Sequence, residues 1–73
     1  DSPLPDYLRR AGVTAREAEV LDMLAERHTN REIAARLFVS PKTVEKHVAA
    51  LATKLGAANR IVLAEIARAL HRP

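Results

Sequence analysis

Two lysines and a histidine crowd the stretch VSPKTVEKHV (39–48): Lys42, Lys46 and His47, with Glu45 among them. Lys42 and Lys46 are four residues apart, which on a helix stacks both ammonium groups on one face. A face so charged suits an anion such as a nucleic-acid backbone. The carboxylate of Glu45 opposes that use if it sits at the centre of the face. It is compatible with it at the edge.

Other chemistry is poorly represented. No serine–histidine–acid or cysteine–histidine set can be assembled from neighbouring helical positions. No glycine-rich phosphate loop exists. The absence of cysteine excludes a disulfide framework and a cysteine zinc site. His28, His47 and His71 lie far apart, without a second ligand at metal spacing. The expectation is therefore a protein that is not an enzyme and holds no metal or cofactor. No run of about 18 apolar residues occurs, so no segment is expected to span a membrane. The chain does not begin with Met, and we read it as a piece of something longer, working in the cytoplasm.

The charge is unevenly distributed. Residues 1–30 carry four arginines against six carboxylates. Residues 31–60 carry six cations (Arg31, Arg36, Lys42, Lys46, Lys54 and Arg60) against only Glu32 and Glu45. A basic middle third is what a polyanion-facing surface requires. Charge alone weighs equally for an ordinary solvated face.

Helices must position these residues. Hydrophobic residues make up 48% of the 73, but aromatics only 3%, so alanine and leucine dominate, and both favour helix. Residues 1–12 read as a linker or short capping segment, with a brief helix opened by Pro5 and stopped by Gly12. Leu4, Tyr7 and Leu8 would fold back on the core. Residues 13–73 read as one helical domain. Thr14 with Glu17, and Thr29 with Glu32, are capping boxes. They start helices at about 15–27 and 30–37. Ser40 caps a third, about 41–54, with Pro41 at its first position and Gly56 beyond its end. Asn59 caps the last, about 60–71. The fold class is all-α, a bundle of four helices.

The second and third helices are separated only by about residues 38–40, which is helix–turn–helix spacing over about 30–49. Phe38 and Val39 are expected to plug the core beneath the turn. On the third helix, Val48, Leu51 and Leu55 fall within about 40° of Val44 and form the buried stripe with it. Lys46 lies opposite, flanked by Lys42, Thr43, Ala49, Ala50 and Thr53. His47 and Lys54 occupy one border of that face and Glu45 the other. Small residues beside Lys46 would let the helix enter a major groove about 12 Å wide.

At this point the residues resemble a known family. VTAREAEVLDML (13–24), TNREIAARLFVSPKTVEKHV (29–48) and KLGAANR (54–60), in this order, are similar to the DNA-binding domain of LuxR-type transcriptional regulators. The resemblance covers about residues 13–70. It implies a helix–turn–helix bundle that binds double-stranded DNA as the output of a larger regulator, controlled by an upstream sensory domain. It also implies dimerisation through the last helix. Carried over by position, Lys42, Glu45, Lys46 and Ala49 match the base-reading face. Thr43, His47 and Lys54 match contacts to the DNA backbone, joined by Asn30 and Arg31 at the start of the scaffold helix. The caps Thr29 and Ser40 complete this set, together with Arg60, for which a local bond and a phosphate contact weigh equally. Arg27 stands where the family commonly has Gly, after the first helix, and is expected either to end that helix without glycine's freedom or to extend the basic surface. Glu45 stands where the family is often basic, and Ala49 where it is often larger.

The last helix, IVLAEIARAL (61–70), carries more apolar surface than one buried side needs. Ile61, Val62, Glu65 and Ala69 are the expected dimer interface. RNA polymerase is a further expected partner. Two alternatives stand beside this reading: a sigma-factor-like promoter-reading domain, and a helical protein-interaction module that does not bind DNA. Among the roles open to Glu45, we favour acceptance of a hydrogen bond from cytosine N4.

Overall fold

Side-chain caps start the helices where the sequence places them. In the computed structural model, which describes residues 6–70, Thr14 Oγ1 accepts from the Glu17 amide at 3.1 Å. Glu17 Oε1 accepts in return from the Thr14 amide at 3.0 Å. Thr29 and Glu32 repeat the box at 3.1 and 2.8 Å. Ser40 Oγ accepts from the Thr43 amide at 3.1 Å, and Asn59 Oδ1 from the Val62 amide at 3.0 Å. Each cap satisfies an amide the helix itself leaves open, worth about 1 kcal/mol. The helices so started are α2 (Ala15–Ala25), α3 (Asn30–Leu37), α4 (Pro41–Leu55) and α5 (Arg60–Leu70). They are preceded by a fifth, α1 (Asp6–Arg10), the brief helix that Pro5 and Gly12 signal. Among the described residues there is no strand.

Four helices end by one device. An amide reaches back five residues: Val13 to the Leu8 carbonyl at 3.0 Å, His28 to Met23 at 3.1 Å, Val39 to Ala34 at 3.0 Å, and Ala57 to Ala52 at 2.9 Å. The residue before each amide is left-handed: Gly12 (φ +84°), Arg27 (+65°), Phe38 (+58°) and Gly56 (+69°). Glycine adopts this conformation freely, whereas a side chain there costs roughly 1–2 kcal/mol. Arg27 therefore ends α2 without glycine, and the helix stops at Ala25 rather than at 27. α4 runs to Leu55, one residue past its expected end. α5 is described to Leu70, and His71 lies outside the described residues, as does Leu4.

Phe38 does not plug the core. It is 94% exposed, while Val39 packs partly buried against the core. The return of the Val39 amide to Ala34 turns Val39 inward and leaves the left-handed residue before it outside.

The core gathers one stripe from each helix. Val20, Ile33, Val44, Leu51, Leu63 and Ala67 are fully buried, with Leu21 and Leu24 2% exposed. Each large aliphatic among them contributes about 1.5–3 kcal/mol. α4 is the centre: it packs against α2, α3 and α5, while α2 also packs against α5. Leu8 of α1, 5% exposed, joins the core as expected, but Tyr7 stays exposed. No helix among the described residues is long and apolar enough to cross a membrane.

Candidate nucleic-acid interface

α4 is held from beneath and open above. Val44 and Leu51 are fully buried, with Val48 and Leu55 packed partly buried beside them, which is the expected stripe. The opposite side exposes Lys42, Glu45, Lys46, Ala49 and Thr53. Thr43, His47 and Lys54 are half-buried at its flank. Among the described residues neither lysine at 42 or 46 has a carboxylate partner, and Glu45 makes no ion pair with Lys42 or Arg31. The face thus presents two free ammonium groups and a free carboxylate around the small side chain of Ala49. Thr53 turns its hydroxyl back to the Ala49 carbonyl at 3.1 Å, which leaves its methyl as its outer surface. The hydroxyls of Ser40 and Thr43 lie 3.0 Å apart at the first turn.

Lys54 is not simply a surface cation. Its Nζ donates to Glu17 Oε1 at 2.6 Å, bridging the last turn of α4 to the first turn of α2. The Glu17 side chain is 8% exposed and that of Lys54 29%. Burial is the largest influence on the Glu17 carboxyl and pushes its pKa up. The hydrogen bonds from Lys54 and the Thr14 amide, with the charges of Lys54 and His47, together outweigh it and hold the pKa below its ordinary value. An ammonium has three N–H groups. With one given to Glu17, two remain for an anion outside.

Arg60 is also engaged within the fold. Its Nη1 donates to Asn30 Oδ1, and its Nη2 to the His28 carbonyl at 2.9 Å. The guanidinium thereby clasps the start of α5 to the start of α3. Of the two roles weighed for Arg60, the local bond is built; the Asn30 side-chain oxygen is likewise occupied. Arg31 is exposed beside them, and Thr29 uses its hydroxyl in the cap. At the same end, the exposed Glu32 has its pKa lowered chiefly by the Thr29 amide hydrogen bond.

α5 turns Leu63 and Ala67 into the core, and these are fully buried. Ile61, Val62, Glu65 and Ala69 fall within about 100° on the other side. Ile61 is 71% exposed, Glu65 and Ala69 are exposed, and Val62 is half-buried. Ile61 also borders a cleft of about 530 Å³ between α5 and the α2–α3 turn, rimmed by Arg27, Arg60 and Arg68.

The sequence reading of Glu17 stopped at its capping role. The missing signal was its phase: Val20, Leu21 and Leu24 stand three, four and seven residues on, so Glu17 lies in the buried stripe of α2. A carboxylate placed there requires a cation. Arg27 ends α2 as a left-handed residue without glycine's freedom, one of the two consequences expected of it.

The profile of "Bacterial regulatory proteins, luxR family" matches residues 11–67. The chain belongs to the luxR family. The match takes in α2, α3 and α4 entire and α5 as far as Ala67, so the whole helix–turn–helix lies inside it. The chain is also 46% identical over 55 residues to the "Oxygen regulatory protein NreC" of Staphylococcus aureus strains JH9 and USA300. That alignment covers 75% of this chain and 25% of each relative. The chain therefore spans about a quarter of the length of the curated relatives it matches. No solved structure gives a significant match. The luxR family is one of regulators and not of enzymes.

Proposed function

We propose that this luxR-family domain binds double-stranded DNA sequence-specifically, as the output domain of a bacterial transcriptional regulator, with α4 lying in the major groove. One observation carries the reading: the exposed side of α4 holds unpartnered Lys42 and Lys46 and small Ala49, on a helix anchored by fully buried Val44 and Leu51. Lys42, Glu45, Lys46 and Ala49 meet base edges. Thr43, His47 and the two spare N–H groups of Lys54 meet phosphates. The amides at the start of α3, with Arg31, seat another. Arg60 and Asn30 hold that start in place from behind, and Ser40 and Thr29 act through their caps. Glu45, unpaired in the fold, accepts from cytosine N4 and so favours one sequence at some loss of general affinity.

α5 supports dimerisation. A face of Ile61, Val62, Glu65 and Ala69 turned away from the core suits a two-fold contact with a second copy, and two copies read paired half-sites. The remainder of the regulator is proposed to carry the sensory domain, with RNA polymerase as the downstream partner and the cytoplasmic nucleoid as the setting.

A salt titration tests the reading. The chain is expected to bind random duplex DNA with micromolar or tighter affinity at low salt, roughly as non-specific binders do, and to lose it steeply as salt rises. Lys54→Ala is expected to reduce the salt slope by about 1, measured below the melting temperature of both proteins. Absence of binding at low salt would favour a protein-interaction module instead.

A further inference from the structure

Phe38 is placed where physics disfavours it twice. Its backbone is left-handed, at φ +58°, although glycine takes that conformation freely and does so at the ends of α1 and α4. Its ring is 94% exposed, although an aromatic ring gains most from burial. The closure of α3 does not need the ring, since the bond from the Val39 amide to the Ala34 carbonyl is backbone alone. A strained and solvated aromatic points to a contact made outside the fold.

We propose that Phe38 is a DNA-reading residue, resting its ring on a thymine methyl group at the edge of the site read by α4. This rests on the reading of α4 as the groove-entering helix. Phe38 stands two residues before Ser40, the cap of α4, so their Cα atoms are at most about 7.6 Å apart. When the first turns of α4 enter the groove, the ring lies beside the same base pairs. The thymine methyl is the apolar group that the major groove displays, and a phenylalanine ring suits it. The neighbourhood favours DNA over a protein partner. Phe38 is flanked by exposed Arg36 and exposed Lys42, and no other large hydrophobic that is exposed lies near it in sequence. A protein hot spot is usually ringed by further packing surface, whereas an isolated apolar group among cations matches a methyl group between phosphates.

The test uses a duplex selected by this chain from a random pool. Each thymine in it is replaced in turn by deoxyuridine, which lacks only the methyl group. Wild type and Phe38→Asn are compared on every duplex. Asparagine tolerates the left-handed conformation, so the variant is expected to melt no lower than wild type. It is expected to bind the selected duplex about four- to tenfold more weakly. One deoxyuridine position is expected to weaken wild type by about fourfold, the worth of one buried methyl group, and to leave the variant unchanged. The proposal is overturned if the variant binds as tightly as wild type, which would assign the ring to a protein partner. It is overturned equally if the variant is weaker but every deoxyuridine affects both proteins alike. If wild type captures no duplex, the DNA reading itself fails, and this is seen before any substitution is made.

Discussion

Removing the Lys54 ammonium should cost more than its half-exposed position suggests, because its partner is buried. Lys54→Met keeps the side-chain length and packing but leaves the Glu17 carboxylate, 8% exposed, without its cation. Breaking a fully buried pair costs about 3–5 kcal/mol. Here the Thr14 amide still serves one Glu17 oxygen, at 3.0 Å, and some solvent reaches the site through the gap, so about 2–3 kcal/mol is expected. For a domain of this size that lowers Tm by roughly 8–20 °C. Glu17→Gln leaves the oxygen that accepts from Thr14 and removes only the charge, so it should cost less, about 1 kcal/mol. The double variant should be more stable than Lys54→Met alone, since no charge is then stranded. Circular-dichroism melts from pH 7 to pH 3 check all of these. The pKa of Glu17 is held below its ordinary 4.5, so the unfolded chain takes up the proton first as pH falls. The stabilisation is thus complete above about pH 4.5 and is lost as pH drops through the lowered folded value. The gap between wild type and Glu17→Gln should narrow over that range. Parallel curves, or a Lys54→Met melt within about 2 °C of wild type, would show that the pair does not hold α2 to α4.

Lys46→Ala is expected to relax sequence preference by about 1–3 kcal/mol at one base pair, seen by binding to a panel of single-base variants of the selected site. Glu45→Ala in the same panel should lose discrimination for cytosine; tighter binding with unchanged preference would remove Glu45 from the reading set. Ile61→Asp should leave the melt unchanged, because Ile61 is 71% exposed, and should abolish cooperative binding to paired half-sites in a gel-shift titration. Arg27→Gly relieves a left-handed residue against a more flexible unfolded chain, so a net gain of about 0.5–1 kcal/mol is expected in chemical denaturation.

Helix starts were the most legible part of this chain, because a cap is a local event. Thr14 with Glu17, Thr29 with Glu32, Ser40 with Pro41, and Asn59 each announce their helix within four residues. The buried stripe of α4 was legible by period alone. Helix ends were less so, because glycine is the usual sign of a left-handed turn; the family's glycine position pointed to Arg27, but nothing pointed to Phe38. The error over Phe38 has a physical source. Hydrophobicity says that a ring should be buried but not which of two adjacent apolar residues a turn directs inward, and backbone closure gave the place to Val39. The candidate site was legible as a face of α4. Its supports were not, since Glu17 and Lys54 are 37 residues apart, and Arg60 is 30 from Asn30. Pairings so distant exist only once the helices have packed.

The repeated closure of α1 to α4 also bears on how the chain folds. Each turn is sealed by a backbone hydrogen bond between residues five apart, so the path reverses direction without help from distant parts of the chain. Helices of 5 to 15 residues joined by such turns keep most contacts local. Topologies of this kind pass over low entropic barriers and fold in about microseconds to milliseconds. Should thermal opening expose the apolar stripe of α4, it would be covered again long before a second opened copy could find it. Fast reclosure of this kind shortens the time for which apolar surface lies open to a second copy.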